Sequence, residues 1–292
     1  MRLRASHSLI SNGTEKTVST GKVPDAAYDT MRVPYMSGRF EFPVKYGYSL
    51  VGVLEEPTHP RHGQRVHLLH PHQSLCPVDP SDCFRIPDNV PSDRATLASN
   101  METALNAIWD SKISAGDRVL LVGAGLIGLL LARLIQGIPG VDLRIAEPNP
   151  IRAAQVQILG FSLSANADAD FDLAFHCSGT AAGLQLAIDK IGSEGKVIEL
   201  SWFGDNAVNL KLGSSFHFQR KQLISSQVSS IPADHQSRWD FQRRKETVFK
   251  LLADTWYDQL LTPLIMANVN AHFDQLRNGK PVPVAPVIWF NK

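Results

Sequence analysis

The chain has 292 residues, 43 % of them hydrophobic and 20 % charged, with 29 Lys and Arg set against 28 Asp and Glu. A net charge of +1 argues against partners that select a strongly basic face, so neither nucleic acid nor an anionic membrane is expected. Three cysteines do not make a disulfide framework, and a chain of this length buries about 75 % of its unfolded surface without one.

The first ten residues carry Arg2 and Arg4 but no long apolar run, which speaks against a secretory signal and for a cytoplasmic protein. Up to residue 100 the chain is rich in Pro, His and Gly. Short alternating runs such as Tyr48 to Leu54 and Arg65 to Leu69 are separated by turn signals at Asn12-Gly13 and Pro60 to Gly63. This texture predicts short strands and loops. From about 101 to 230 it changes. Apolar β-type runs (Arg118 to Val122, Leu143 to Ala146, Leu173 to Phe175, Lys196 to Leu200) alternate with helical patterns at Gly125 to Gln136, Ile151 to Leu159 and Ala182 to Ile191. Such alternation predicts an α/β fold with a parallel sheet wound by right-handed crossovers. The uncharged stretch Val119 to Ala132 is shorter than the about 20 residues a membrane span requires, and it is broken by glycines. Beyond Pro232 two polar helical patterns follow, at about 237 to 253 and 268 to 278. The cluster Arg238, Arg243, Arg244 and Lys245 on the first reads as a solvated helix face. The prolines of the last apolar run, Val282 to Phe290, make it an edge or terminal strand.

The strongest motif is Gly123-Ala124-Gly125-Leu126-Ile127-Gly128, a G-x-G-x-x-G that follows a strand and opens a helix. Gly123 allows the tight turn, Gly125 lets the backbone approach a pyrophosphate, and Gly128 lets helix and strand pack closely. The N–H groups and positive dipole end of the helix then face the phosphates. An acid is expected about 20 residues on, to bind the adenosine ribose, and Glu147 closes the next strand run. Its carboxylate favours NAD. Arg144 and Arg152 lie near enough in sequence to leave NADP possible, and Arg152 joins the expected cofactor residues. A methyltransferase uses a similar turn and acid and is the rival reading of this motif.

The sequence resembles the medium-chain dehydrogenase/reductase superfamily, the alcohol dehydrogenase-like enzymes, over nearly its whole length. The resemblance rests on Ile10 to Glu15 (Ile-Ser-Asn-Gly-Thr-Glu), Gly47 to Gly52, Thr103-Ala104 ahead of Ala115 to Val119, Cys177-Ser178-Gly179, and Leu276 to Lys280. Within it, Lys45 to Tyr48, His70 to Gln73 and Asn100 to Ala104 resemble a branch related to bacteriochlorophyllide dehydrogenases. The resemblance implies a GroES-like β domain built from both chain ends around a central Rossmann domain. The segments would be 1–100, 101–230 and 231–292. It also implies a small-molecule substrate, a homodimer, and cofactor contacts from Ser178 and Gly179. The family has a further pair of strands ahead of the segment matching Arg2 to Ser11, so the β domain is expected to be shortened there or to continue upstream.

Zinc members of the family carry Cys, His, and Cys or Glu at the positions that resemble Asn12, Tyr48 and Ser99. Asn, Tyr and Ser are poor zinc ligands, so no catalytic zinc is expected. Hydride transfer to a carbonyl still requires stabilisation of the developing alkoxide. Tyr48 is the expected acid, because its phenol both donates and relays a proton. Thr14 stands at the family's proton-relay hydroxyl, and Asn12 offers an amide donor. Lys45, three residues earlier, would lower the Tyr48 pKa if close, but along a strand the two would face opposite sides. His70, His72, Cys76 and Cys83 are four metal-ligand types in one short stretch, but their spacing matches no common site. The reading is therefore a zinc-independent NAD(P)-dependent oxidoreductase of an alcohol, ketone or enone. A non-catalytic dinucleotide-binding protein is the alternative.

Overall fold

The change of texture after residue 100 marks a physical boundary. The computed structural model describes residues 1–290. It divides into one unit of Met1–Ser99 plus the segment from Phe241 onward, and a second of Asn100–Asp240. The chain opens with β1 (Arg2–Leu9), α1 (Asn12–Ser19), β2 (Ser37–Gly38), β3 (Val44–Lys45), β4 (Leu50–Leu54), β5 (Arg65–Leu68), β6 (Leu75–Pro77), β7 (Phe84–Arg85) and α2 (Ser92–Ala95). Helix α3 (Ala98–Ser111) leads into β8 (Arg118–Val122), α4 (Leu126–Gln136), β9 (Asp142–Ala146), α5 (Pro150–Ile158), β10 (Phe171–His176), α6 (Ala181–Lys190), β11 (Ile191–Glu199), α7 (Ser215–Phe218) and β12 (Gln222–Ser225). The return segment supplies α8 (Phe241–Leu251), β13 (Leu261–Ile265), α9 (Val269–Arg277) and β14 (Ala285–Trp289).

In the first unit β14 pairs antiparallel with β1, and the sheet runs β13-β14-β1-β4-β5-β7 with β6 also on β1. Both chain ends thus share one sheet. Its apolar face gathers Leu3, Ala5, Leu50, Leu54, Val66 and Leu68, the inward positions of alternating strands. The expected edge position for the last strand does not hold, because β14 lies between β13 and β1. Pro281 and Pro283 precede it, and Pro286 inside it still accepts through its carbonyl from the Ile10 N–H at 3.0 Å.

Two further expectations need correction. The turn signal at Asn12-Gly13 is instead the first turn of α1, because the Glu15 carboxylate reaches back to the Ser11 N–H at 2.7 Å and satisfies a helix-end donor, as a capping box does. Arg238 and Arg243 are exposed, but Arg244 and Lys245 are buried. Their cations lie over the rings of Phe241 and Phe84, 5.0 and 5.1 Å from the centroids, where a cation is attracted to the aromatic face.

The second unit is a five-stranded sheet in the order β12-β11-β10-β8-β9, parallel throughout. Strands β8 and β10 are almost wholly buried, as parallel strands covered on both faces must be. Its C-terminal boundary falls after Asp240 rather than near 230. Trp109 of α3 stacks on His235 and packs against Trp239, with centroids 4.9 and 4.7 Å away, which ties that stretch to this unit. No helix among the described residues is long and apolar enough to cross a membrane.

Three histidines of the first unit are buried in a way that disfavours their charged form. His67 is fully buried, faces the hydroxyls of Ser49 and Ser99 at 3.1 and 3.3 Å, and has no hydrogen-bond partner at Nδ1. Burial, with Lys245 adding, holds its pKa well below the ordinary value, and burial also lowers His70 and His272. Once unfolded, these groups titrate near about 6.5. The unfolded chain therefore binds more protons below that pH, and stability falls as pH drops through it. Urea unfolding at pH 7.5 and 5.5 is expected to show a loss of at least about 1 kcal/mol. A His67→Gln chain should show a shallower slope; an unchanged slope removes His67 as a cause.

Candidate functional site

The sheet order of the second unit reverses at β8, with β9 on one side and β10 on the other. Open α/β sheets bind ligands in the crevice at such a switch, beyond the carboxyl ends of the strands. The fingerprint turn sits there. Gly123 has φ +102°, and a Cβ on it would lie 2.8 Å from the Ser178 backbone. A Cβ on Gly128 would lie 2.1 Å from the Gly123 carbonyl oxygen, so α4 packs on the turn only without a side chain there. Gly125 is different: nothing lies within 4 Å of its would-be Cβ, which leaves open space where a phosphate approaches backbone. No side chain caps α4 at Gly125, so the first-turn donors at Leu126 and Ile127 have no side-chain acceptor of that kind.

Glu147 stands just past β9 and turns toward this turn. Its Oε2 accepts from the Ala124 N–H at 2.8 Å and its Oε1 from the Asn149 N–H at 2.9 Å. Asn149 in turn caps α5 by accepting from the N–H groups of Ile151 and Arg152 at 3.0 and 3.2 Å. Arg144 pairs with Asp142 at 3.0 Å, so one of the two nearby guanidinium groups is already engaged by a carboxylate.

A third group at these strand ends escaped the sequence reading. His176 ends β10 and Glu199 ends β11; the His176 Nδ1 is 2.7 Å from Glu199 Oε2, and its Nε2 is 2.6 Å from the Ser178 hydroxyl. Glu199 Oε1 accepts from the Ser201 N–H at 2.6 Å, and the Ser201 hydroxyl accepts from the Gly179 N–H at 3.0 Å. The available signal was a repeated spacing, His-x-Ser and Glu-x-Ser at the ends of two adjacent parallel runs. Cys177 lies within this group, and burial, with Glu199 adding, pushes its thiol pKa up, as expected of an unreactive cysteine.

The first unit carries a second polar cluster, at the start of α1. The Tyr48 hydroxyl donates to the Thr14 hydroxyl at 3.3 Å, so these two expected site residues meet. Tyr46, whose ring lies edge-on to Tyr48 at 6.2 Å, has its pKa driven far up by burial, with Tyr48 and Glu15 adding. Lys45 is exposed and donates to Gln73 at 2.7 Å. Asn12 is committed to the fold: its amide nitrogen donates to the Pro283 and Val284 carbonyls at 2.8 and 3.3 Å, and its oxygen faces His272 at 3.0 Å. The amide donor expected from the sequence is thus taken up by the return segment.

Beside Thr14, Glu15 is 2 % exposed and its Oε2 lies 2.8 Å from His72 Nε2. On the other side of the ring, His72 Nδ1 is 2.6 Å from the Ser8 hydroxyl, which itself donates to the Ser49 carbonyl at 2.7 Å. Ser8 therefore accepts from the Nδ1–H. The other ring nitrogen, Nε2, faces the Glu15 carboxyl. Gly47, at φ +122°, makes room for the ring, because a Cβ there would fall 2.9 Å from His72 Nε2.

The four metal-ligand types near residue 76 do not converge. His70 donates to the Pro71 carbonyl at 2.8 Å and packs on Tyr35, while His72 belongs to Glu15 and Ser8. Cys76 and Cys83 are free thiols in the apolar core, each pushed up to about 11 by burial. Among the described residues no three His, Cys, Asp or Glu side chains gather as a metal site. At the positions resembling zinc ligands, Ser99 donates its hydroxyl to the Tyr48 carbonyl at 2.8 Å, and Asn12 is held as described. An amide, a phenol and a hydroxyl so engaged do not fit zinc.

Comparison with known proteins agrees with this fold. No family model matches the chain. Probable diacetyl reductase ((R)-acetoin forming) 2 of Saccharomyces cerevisiae is 26 % identical over 148 residues, covering 45 % of this chain and 36 % of that protein. The zinc-type alcohol dehydrogenase-like protein YphC of Escherichia coli is 26 % identical over 180 residues, covering 55 % and 49 %. The matched stretches thus span less than half of either curated relative. Among solved structures, acetophenone reductase from Geotrichum candidum in complex with NAD superposes with a TM-score of 0.75 at 13 % identity, over 99 % of this chain and 89 % of that one. The fold is thus that of a GroES-like unit with a Rossmann unit, and over part of its length the chain is similar to dehydrogenases and reductases of the alcohol dehydrogenase type. The finer branch rests on the sequence resemblance alone.

Both glycine dependences are measurable. Gly128→Ala is expected to cost about 2 kcal/mol of stability through the forced shift of α4. Gly47→Ala should cost a similar amount by displacing His72 and leaving Glu15 with one buried partner fewer. Chemical unfolding of the two variants checks both; a change under 0.5 kcal/mol, the usual scale of an inert site, rejects either.

Proposed function

We propose that this chain is an NAD(P)-dependent oxidoreductase that moves hydride between a nicotinamide and an alcohol, ketone or enone without zinc. The observation that carries the proposal is Glu147 over the open glycine turn: a carboxylate bonded to the Ala124 N–H at 2.8 Å, beside backbone with room for a pyrophosphate. The cofactor residues of this reading are Gly123 to Gly128, Glu147, Arg152, Ser178 and Gly179. A carboxylate at Glu147 accepts from the two hydroxyls of an unmodified ribose and repels a ribose phosphate, which favours NAD over NADP. The acetophenone reductase structure, holding NAD on a similar fold, supports the class of ligand.

A bound nicotinamide supplies or accepts the hydride. The proton is the task of the protein. In this reading the Tyr48 phenol protonates the developing alkoxide, with Thr14 at 3.3 Å as the hydroxyl that relays it. Zinc independence is supported by the poor donor set at Asn12, Tyr48 and Ser99. The family resemblance adds a small-molecule substrate and a homodimer.

The second reading, a dinucleotide-binding protein without turnover, is favoured by the commitment of Asn12 to the return segment. Turnover of any member of an alcohol and ketone panel rejects it. The methyltransferase reading predicts S-adenosylmethionine binding in place of NADH.

NADH is expected to bind with its fluorescence enhanced, and Glu147→Ala to weaken that binding by about tenfold or more, the scale of a lost charged hydrogen bond. Absence of NADH and NADPH binding rejects the class. With a substrate in hand, Tyr48→Phe should lower kcat by about a hundredfold and leave NADH affinity unchanged. Stoichiometric zinc on elemental analysis, removed together with activity by a chelator, rejects zinc independence.

A further inference from the structure

Between α1 and β4 the first unit holds a solvent-open cavity of about 260 Å³, lined by Tyr28, Asp29, Arg32, Arg39 and Phe40. The reaction proposed above does not use it, and it shares no residue with the Tyr48–Thr14 pair or the glycine turn. Two of its walls are rings: Tyr28 and Phe40 pack with centroids 5.5 Å apart. The other walls are charged. Exposed charges are ordinarily solvated and mobile, but the charges here are held in place.

Arg32 is fixed by backbone. Its Nη1 donates to the Gly38 carbonyl and its Nη2 to the Met36 carbonyl, both at 3.2 Å. These acceptors flank Ser37 on the β2–β3 ladder, where Ser37 pairs with Lys45 and Gly38 with Val44. Gly38 has φ +80°, and a Cβ on it would collide with the Pro43 carbonyl, so the hairpin that presents them is tight. A guanidinium has five N–H donors; two serve this anchor, and the others are left for a ligand. Asp29 lies one turn earlier, with its carbonyl 3.4 Å from the Arg32 N–H that donates to it. The two side chains are nevertheless held apart, and among the described residues neither has an ion-pair partner. The other charges are answered locally. Arg39 Nε lies 3.5 Å from Glu41, and its guanidinium sits over the Tyr28 ring, 6.0 Å from the centroid. The Tyr28 phenol bonds to the Asp25 carboxylate. Arg32 and Asp29 are therefore left as a cation and an anion bordering the same small space.

We propose that this cavity binds a free α-amino acid with an apolar side chain. Its carboxylate is held by Arg32, its ammonium by Asp29, and its side chain lies against Tyr28 and Phe40. The charge pattern selects that class. A simple anion would gain Arg32 but face the Asp29 carboxylate, and a simple cation would meet the reverse. A zwitterion answers both and brings no net charge. The planar fork of an arginine matches a carboxylate, and an ammonium is a donor only, as a carboxylate partner requires. Size agrees, because the space is below the about 300–1,000 Å³ of sites for drug-sized ligands and suits a small metabolite. The occupant is additional to the hydride donor and acceptor, and the site stands independently of that reaction.

Calorimetry on the full chain tests this with three probes: L-leucine, 4-methylpentanoate, which lacks the ammonium, and 3-methylbutylamine, which lacks the carboxylate. L-leucine is expected to bind, and each of the other two to bind at least about tenfold more weakly, the scale of a lost charged hydrogen bond. Arg32→Gln should weaken L-leucine by about tenfold and leave 3-methylbutylamine within about twofold. Asp29→Asn should weaken L-leucine to a similar extent and leave 4-methylpentanoate unchanged or tighter. Both side chains are exposed, so the fold is expected to survive either change. Tyr48→Phe should leave L-leucine binding within about twofold; its loss there places the ligand at the Tyr48 hydroxyl and overturns the assignment. Absence of L-leucine binding, equal binding of the three probes, or indifference of L-leucine to both charge variants also overturns it. NADH titration is read separately, so this inference and the dinucleotide reading fail independently.

Discussion

The approach of α4 to the turn after β8 is the constraint on which the nucleotide unit depends. It is possible because Gly128 has no Cβ: one there would sit 2.1 Å from the Gly123 carbonyl. That contact brings the helix N-terminus against the end of the sheet, where its free N–H groups and dipole converge on one open spot. The flanking strands then set what stands beside it. Parallel pairing of β9, β8 and β10 in register delivers Glu147 on one side of the turn and Ser178 on the other. The juxtaposition of these groups follows from strand register and from one absent methyl group.

The first unit is organised around a different economy of polar groups. Ser8, Glu15, Ser49 and His72 are all largely buried, and each has a hydrogen-bond partner within the group or on nearby backbone. A buried carboxylate without such partners would be strongly unfavourable. Here it closes the first turn of α1 and faces an imidazole nitrogen at 2.8 Å. Thr14, the residue before Glu15, is held in consequence on a rigid helix start, where it meets the Tyr48 hydroxyl. The pair that performs the proposed proton transfer is placed by neighbours that have no part in the reaction.

Much of the local structure around the proposed nucleotide site was legible in the chain. The strand Arg118–Val122 begins and ends where the apolar run does, and helix Leu126–Gln136 follows the glycines at the expected place, because turn, strand and helix there are specified by neighbours within a few residues. The histidine and acid at the ends of β10 and β11 were not legible as a pair. They are 23 residues apart, and their meeting depends on the register of two parallel strands. Asn12 was misread for a similar reason: the carbonyl that takes its amide proton is 271 residues away. The basic cluster on α8 was read as one solvated face, yet rotation of the helix buries Arg244 and Lys245 and leaves Arg243 outside.

By itself, the sequence determined the alternation of strand and helix, the glycine turn with its acid, and the poor zinc donors at the resembling positions. These are properties of residue type and short spacing, and local sterics and hydrogen bonding act at that range. The tertiary structure alone decided that the last strand is internal, that Glu15 meets His72, and that His176, Glu199 and Ser178 form one chain of hydrogen bonds. Each of these joins residues brought together by sheet order and core packing. The energy of such a contact depends on burial and orientation, which exist only once the chain has folded.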